Sequence, residues 1–323
     1  MRVIRSEVYQ RPVYAIFILF GLILVGAQSV RAATYYVSSN GSENYSCSQA
    51  QSRSTPLARI AVGIQCLRPG DTLIVGAGIY FEMIGNFMYI PSGTANNPIT
   101  IMANPGDSVV IKPPAWMPRN APLIDFEGLH YITFKGFTVD GGGIAGNTLV
   151  IGYPSTDITV EGNEIRGARY EGLFLWANSN QILKNKIHSN GFANDDPYLI
   201  PYGYGIYLTG ASNVIDGNDI YNNGRYGIVG YAPVETVNNN VIRNNLIHNN
   251  ERMAGAAGIL MGGSDNLIYN NTIWDEPGVG INIGFSPYPR NIQIHNNVVR
   301  QIPFYAIVVD SGYNIQVYDN VFQ

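Results

Sequence analysis

The chain has 323 residues, of which only 13% are charged, with 36 Gly, 34 Asn and a formal net charge of −4. That is about half the roughly 25% of charged residues usual in soluble domains, and no basic stripe stands out, which argues against nucleic acid as a partner. Asn and Gly tolerate left-handed backbone, so their abundance fits short strands joined by tight corners and excludes a helical bundle.

Arg2, Arg5 and Arg11 precede an uncharged run from Val13 to Ala27, and Val30-Arg31-Ala32 places small residues three and one before a cut. Residues 1–32 therefore read as a secretory signal peptide cleaved after Ala32. The run of 15 residues is shorter than the roughly 18 to 20 needed to span a bilayer, so no membrane span is expected after cleavage. Without this segment the chain keeps 15 basic and 22 acidic side chains and is secreted or periplasmic. Cys47 and Cys66, an even pair in an oxidising compartment flanking one short segment, read as a disulfide.

Residues 33–71 form an N-terminal unit. Thr34-Tyr35-Tyr36-Val37-Ser38 has the β-branched and aromatic residues of a strand, and a polar loop runs from Ser42 to Ser54. After Pro56 the apolar residues Leu57, Ile60, Ala61, Ile64 and Leu67 recur at helical spacing. A short helix here would cover the open end of a solenoid. Residues 72–323 make the solenoid itself, starting with the strand Thr72 to Val75 after the turn Pro69-Gly70-Asp71.

From Gly136 onward one phrase keeps returning: an apolar residue, two spacers, an anchor, a spacer, another apolar residue. The anchors are Phe137, Asn163, Asn185, Asn218, Asn245, Asn271, Asn297 and Asn320, at steps of 26, 22, 33, 27, 26, 26 and 23 residues. Three residues before them stand Phe134, Val160, Ile182, Ile215, Ile242, Ile268, Ile294 and Val317; two after stand Val139, Ile165, Ile187, Ile220, Ile247, Ile273, Val299 and Phe322. Such a period marks a solenoid, here all-β with about ten coils and ~45 Å long. Each coil offers three strands. Alternation on the first turns Leu173, Ile206, Ile228, Ile259, Ile281 and Ile307 inward and Phe174, Tyr207, Val229, Leu260, Asn282 and Val308 outward. The anchor Asn residues sit at an inner corner as a structural ladder that satisfies backbone groups of the bend.

The 22- to 27-residue coils, the Gly-apolar-x-apolar strand starts and the Asn corner resemble the right-handed parallel β-helix proteins of pectate lyase type. Tyr35-Tyr36-Val37-Ser38, Pro69-Gly70-Asp71-Thr72 and Gly78-Ile79-Tyr80 are similar to the N-terminal signature of exported polysaccharide-active members, which include pectate lyases and the lyases and epimerases of alginate or dermatan-type chains. The resemblance implies a right-handed β-helix over the mature chain and a polysaccharide partner. Among the polygalacturonase motifs only Asp195-Asp196 is present, and Asp196-Pro197-Tyr198-Leu199 keeps just the first two residues of the mannuronan epimerase motif Asp-Pro-His-Asp. The Arg-x-Pro-x-x-Arg phrase of one pectate lyase group is absent.

The 33-residue step contains an insertion over residues 191–203, before the first strand of a coil. Insertions in solenoids map to loops that often carry the binding face. Arg169, Tyr170 and Glu171 precede the equivalent strand one coil earlier, and Arg225 and Tyr226 one coil later, with Trp176, Tyr207 and Tyr231 facing out nearby. Elimination beside a uronate needs its carboxylate neutralised and a base for the adjacent proton. Arg169, Arg225 and Tyr204 are the catalytic candidates, with Lys186 and His188 as further possible bases on a different strand face. Trp176, Tyr207, Tyr231 and Tyr170 are candidates for binding sugar. Asp195, Asp196 and Glu171 carry the hard oxygens that suit Ca²⁺. The leading expectation is a lyase on an acidic polysaccharide. Its rivals are a non-catalytic glycan-binding or envelope solenoid, and a hydrolase or epimerase on the same fold.

Overall fold

The computed structural model describes residues 32–85, 87–191, 203–231, 236–250, 256–284 and 289–323. The expected signal segment lies outside them except for Ala32, as do Asp195 and Asp196. Short strands wind into three wholly parallel sheets of eight, eleven and ten strands. The first sheet holds strands such as Leu173–Leu175 and Tyr204–Leu208, the second Gln181–Leu183 and Val214–Asp216, and the third Lys186–His188 and Asp219–Tyr221. Each strand pairs with its equivalent one coil away, as in Leu173↔Ile206 and Ile182↔Ile215. The ten strands of the third sheet agree with the expected coil number.

Coil interiors are closed by stacked apolar columns. Val160, Ile182, Ile215, Ile242, Ile268 and Ile294 are all fully buried in the second sheet, and Ile165, Ile187, Ile220, Ile247 and Ile273 in the third. Every Asn anchor also does what its spacing suggests, and Phe137 only donates its backbone N–H to Asn163 Oδ1. The backbone N–H of Asn185 donates to Asn218 Oδ1 at 2.9 Å, that of Asn218 to Asn245 Oδ1 at 2.9 Å, and that of Asn245 to Asn271 Oδ1 at 3.0 Å. Each Nδ2 gives one hydrogen to the same oxygen and one to a carbonyl of the preceding coil, Val160, Ile182 and Ile215 in these three cases. The ladder begins at Asn163 and continues through Asn297 to Asn320.

Two further ladders stand at the other corners, five residues before and five after the anchors. Asn180, Asn213, Asn240 and Asn266 form one. Asn190, Asn223 and Asn250 form the other, which ends on the buried carboxylate of Glu276. The residue ahead of each rung has a positive φ of about 50 to 70°, for example Ser179, Lys184 and Ser189 on one coil and Asn239, Asn244 and Asn249 on another. Asn, Asp, Ser and Gly dominate these positions because they pay least for left-handed backbone. The glycines that open first-sheet strands have a different cause. A Cβ on Gly172 would lie 2.5 Å from Asn190 Nδ2, and one on Gly205 2.9 Å from Asn223 Nδ2, so the third ladder occupies their side-chain space.

At the N-terminus Thr34–Val37 pairs with Thr72–Val75 and so supplies the second sheet with its first strand. The helix is shorter than the 57–67 pattern suggests and spans Ile60–Gln65. Leu57 is withheld from it because its backbone bonds to Tyr36 and Ser38 as an isolated bridge. Glu82 accepts hydrogen bonds from the backbone N–H groups of Ile60 and Ala61 at 2.9 and 3.0 Å, which caps the helix from the solenoid below. Cys47 and Cys66 are bonded, with their Cα atoms 5.5 Å apart.

Asn245→Leu removes one rung, which strands the backbone and side-chain donors of Asn218 and takes a donor from the Ile215 carbonyl and from Asn271 Oδ1. We expect a loss of roughly 1–3 kcal/mol in urea unfolding. Unchanged stability would show that the rungs merely fill space.

Candidate active site on the outer face of the first sheet

The insertion is set into an unbroken coil. Its flanking glycines touch: a Cβ on Gly191, where φ is +85°, would fall 2.2 Å from the Cα of Gly203. Gly203 in turn accepts a hydrogen bond from the Arg225 backbone N–H at 2.8 Å. Tyr204, the first strand residue after the insertion, is thereby brought into register with Tyr226 one coil later. Glu171 lies one coil earlier, and its neighbour Gly172 donates a backbone hydrogen bond to the Tyr204 carbonyl.

Tyr204, Tyr226 and Arg225 border one cleft of about 210 Å³, which Tyr207, Val229, Tyr231 and Leu260 complete. The Arg225 guanidinium lies 5.0 Å from the centre of the Tyr226 ring. Tyr204 meets Tyr207 and Tyr226 edge-on at 5.5 Å each. Behind them Tyr226, Val229, Ala256, Ala257 and Leu260 form a second apolar cluster outside the coil. Val229 and Leu260, expected to point to solvent, are therefore outward but buried. Alternation assigns a side, and the tyrosines packed around that side remove the water.

Electrostatics tie Tyr204 to its surroundings. Burial pushes its hydroxyl far above the ordinary phenol range; Arg225 pulls it down and Glu171 raises it further. At neutral pH it carries its proton, so it suits donation better than the unaided base role considered from sequence. Glu171 is nearly buried and accepts a hydrogen bond from Asn147 Nδ2. Burial pushes its carboxyl up to about 7, against the lowering effect of hydrogen bonds from its own backbone and from Asn147.

The other candidates scatter. Arg169 does not join the cleft; its side chain is buried and its Nε donates to Asn120 Oδ1 at 2.7 Å. Tyr170 is half-buried beside it. Trp176 projects further along the same sheet, 52% exposed. Lys186 and His188 face out from the third sheet, where His188 bonds Glu164 at 3.1 Å and stacks on Tyr221. Among the described residues no group of three His, Cys, Asp or Glu side chains stands close enough to hold a metal ion. Asn147 was missed, since no repeat or motif singles it out. Among the described residues no helix is long and apolar enough to cross a membrane.

Glu171 predicts a pH signature. The folded state holds its proton more tightly than the ordinary carboxyl value of 4.5, so its share of stability is full below that pH. It falls as pH rises through the window to about 7 and then levels off, a loss on the order of 3 kcal/mol. Glu171→Gln should remove that decline from the pH dependence of Tm, and an unaltered profile would show that Glu171 is ionised throughout.

Known proteins share this architecture. Pectate lyase Pel9A is 16% identical with a TM-score of 0.59, the alignment covering 89% of this chain and 79% of the lyase. An alginate lyase from Paenibacillus sp. str. FPU-7 is 17% identical with a TM-score of 0.54, over 80% of this chain and 93% of that one. The A-module of an Azotobacter vinelandii mannuronan C-5 epimerase is 17% identical with a TM-score of 0.59, over 78% and 68%. At these identities the likeness is one of fold. No curated protein matches the chain by sequence. The family model described as the right-handed β-helix region matches residues 124–230 and 200–323, and by that match the chain belongs to the right-handed parallel β-helix family.

Proposed function

We propose that the protein is an exported lyase that cleaves an acidic, uronate-containing polysaccharide in the Tyr204–Arg225 cleft. One observation carries this reading: a cation and a protonated phenol line one cleft, and the phenol feels the charge of a carboxyl pushed up to about 7 by burial one coil away. Similar folds named as pectate lyase, alginate lyase and mannuronan epimerase support it at the level of architecture. The disulfide and the leader-like first 32 residues support export.

In this reading Arg225 pairs with the substrate carboxylate, which makes the proton on the adjacent carbon acidic. That proton passes to the Tyr204 oxygen as the phenol hands its own to ionised Glu171. The C4–O4 bond breaks, a C4=C5 double bond forms, and the departing oxygen takes a proton back from Tyr204, which Glu171 replaces. A carboxyl near 7 is matched to such exchange at neutral pH. Tyr207 and Tyr231 wall the sugar, while Arg169, held by Asn120, is buried away from the cleft. Asp195 and Asp196 lie on the insertion just ahead of Tyr204, and a calcium requirement would give them a role as oxygen ligands.

The mature chain should be incubated with pectate, alginate and chondroitin-type chains, each with calcium or with chelator, while ultraviolet absorbance of unsaturated ends is followed. Arg225→Ala and Tyr204→Phe are expected to lower that rate by roughly 10²-fold or more. Glu171→Gln should lose the rise in rate through pH 7. Binding of these chains without any unsaturated ends would sink the lyase and favour a glycan-binding solenoid.

A further inference from the structure

Aromatic side chains line three faces of the solenoid, yet their rings are presented differently. On the third sheet they stack along the axis. His188 and Tyr221 lie 4.7 Å apart at 9°, Tyr221 and His248 5.1 Å at 6°, and His248 and Trp274 4.1 Å at 13°. Arg300 then covers Trp274 at 5.5 Å. Both ring faces of Tyr221, His248 and Trp274 are thereby occupied. On the second sheet Tyr269, His295 and Tyr318 repeat this at 5.0 and 4.9 Å.

Trp176 is built otherwise. Its register neighbour in the preceding coil is Gly152, since Leu175 pairs with Ile151, and a glycine offers no ring to stack on. The nearest aromatic, Tyr153, stands 6.4 Å away and is tilted by 35°. Both stay open, Trp176 at 52% and Tyr153 at 61% exposure. On the other side the register neighbour of Trp176 is Thr209, followed by Tyr231 at the cleft, because Leu175, Leu208 and Gly230 pair in sequence. The Thr209 hydroxyl is buried and meets no hydrogen-bond partner among the described residues. The residue as a whole is half-buried, so one turn about χ1 exchanges methyl for hydroxyl at the surface.

We infer that Tyr153, Trp176 and Thr209 form a pyranose-binding subsite, which takes a sugar ring of a polysaccharide laid along the solenoid axis toward the Tyr204–Arg225 cleft. The open indole and phenol receive the C–H face of the ring, and the Thr209 hydroxyl gains a partner that the described residues do not give it. Recognition here is by shape and hydroxyl, in contrast to the charge recognition at Arg225. The inference rests on the reading of a polysaccharide as substrate, and extends it with a second contact and a direction for the chain.

Calorimetric titration of the mature protein with polygalacturonate and alginate oligomers of several lengths, at low and high salt, tests this. Trp176→Ala and Tyr153→Ala are each expected to weaken long oligomers about tenfold, equally at both salt concentrations because no ion pair is involved. Trp176→Phe should restore most of the affinity, and Trp116→Ala, on another exposed indole, should bind like the parent. Thr209→Val should weaken binding while raising Tm, whereas a merely structural threonine would raise Tm alone. If Trp176→Ala weakens binding and no unsaturated ends form, the subsite stands and the lyase falls. If ends form and Trp176→Ala binds like the parent, or its loss disappears at high salt, the subsite is overturned. Failure of every oligomer to bind overturns it as well.

Discussion

A parallel solenoid turns three corners in every coil, and at each one the backbone leaves the hydrogen-bonding direction of a sheet while still facing a dry interior. Unpaired amides there are costly at every repeat. The buried Asn rungs meet this constraint. One side-chain oxygen accepts from the backbone and side chain of its neighbour, and the amide nitrogen reaches forward and back along the axis. The apolar columns supply most of the burial, but the rungs decide where the chain bends. That division explains a low charge content together with so many asparagines, since the polar groups of this protein are largely spent inside it.

With the corners fixed, residues far apart in sequence become lateral neighbours on the outer sheets. Asn147, Glu171, Tyr204 and Arg225 belong to four successive coils, and each occupies nearly the same place in its coil. A flexible loop could present the same groups, but would give no reason for a carboxyl to remain buried. Here Glu171 is held out of water by the coil next to it, and burial rather than a nearby charge sets its proton affinity.

The architecture was legible because the anchor phrase repeats with apolar residues on both sides, and those columns are the interior ones. The same lettering held two more ladders. Ser179-Asn180, Lys184-Asn185 and Ser189-Asn190 recur as Asn239-Asn240, Asn244-Asn245 and Asn249-Asn250, a left-handed residue before a rung every five positions. Following only the flanked anchor hides the other two corners, whose rungs are not framed by the same apolar pair. The placement of the candidate residues was legible in part. Register placed Tyr204, Arg225 and Glu171 together, whereas Arg169 departs because its partner Asn120 sits outside the Asn phrase. Outwardness of Val229 and Leu260 followed from alternation, but their burial depends on aromatic packing that a period cannot encode.

The ladder that sequence reading overlooked is the one nearest the candidate site. Asn190 immediately precedes the insertion, and Asn223 stands two residues before Arg225. Their amides occupy the space beside Gly172 and Gly205, so the strand that follows Glu171 and the one that begins at Tyr204 start from a fixed corner. Gly191 and Gly203 approach so closely that a Cβ on the former would meet the Cα of the latter, and this contact closes the coil at that corner. A site that needs a cation, a phenol and a carboxyl in stable register gains this from a rigid corner. The corner that holds the coil together and the one that positions the candidate site are therefore the same, and the glycines opening the first-sheet strands serve both.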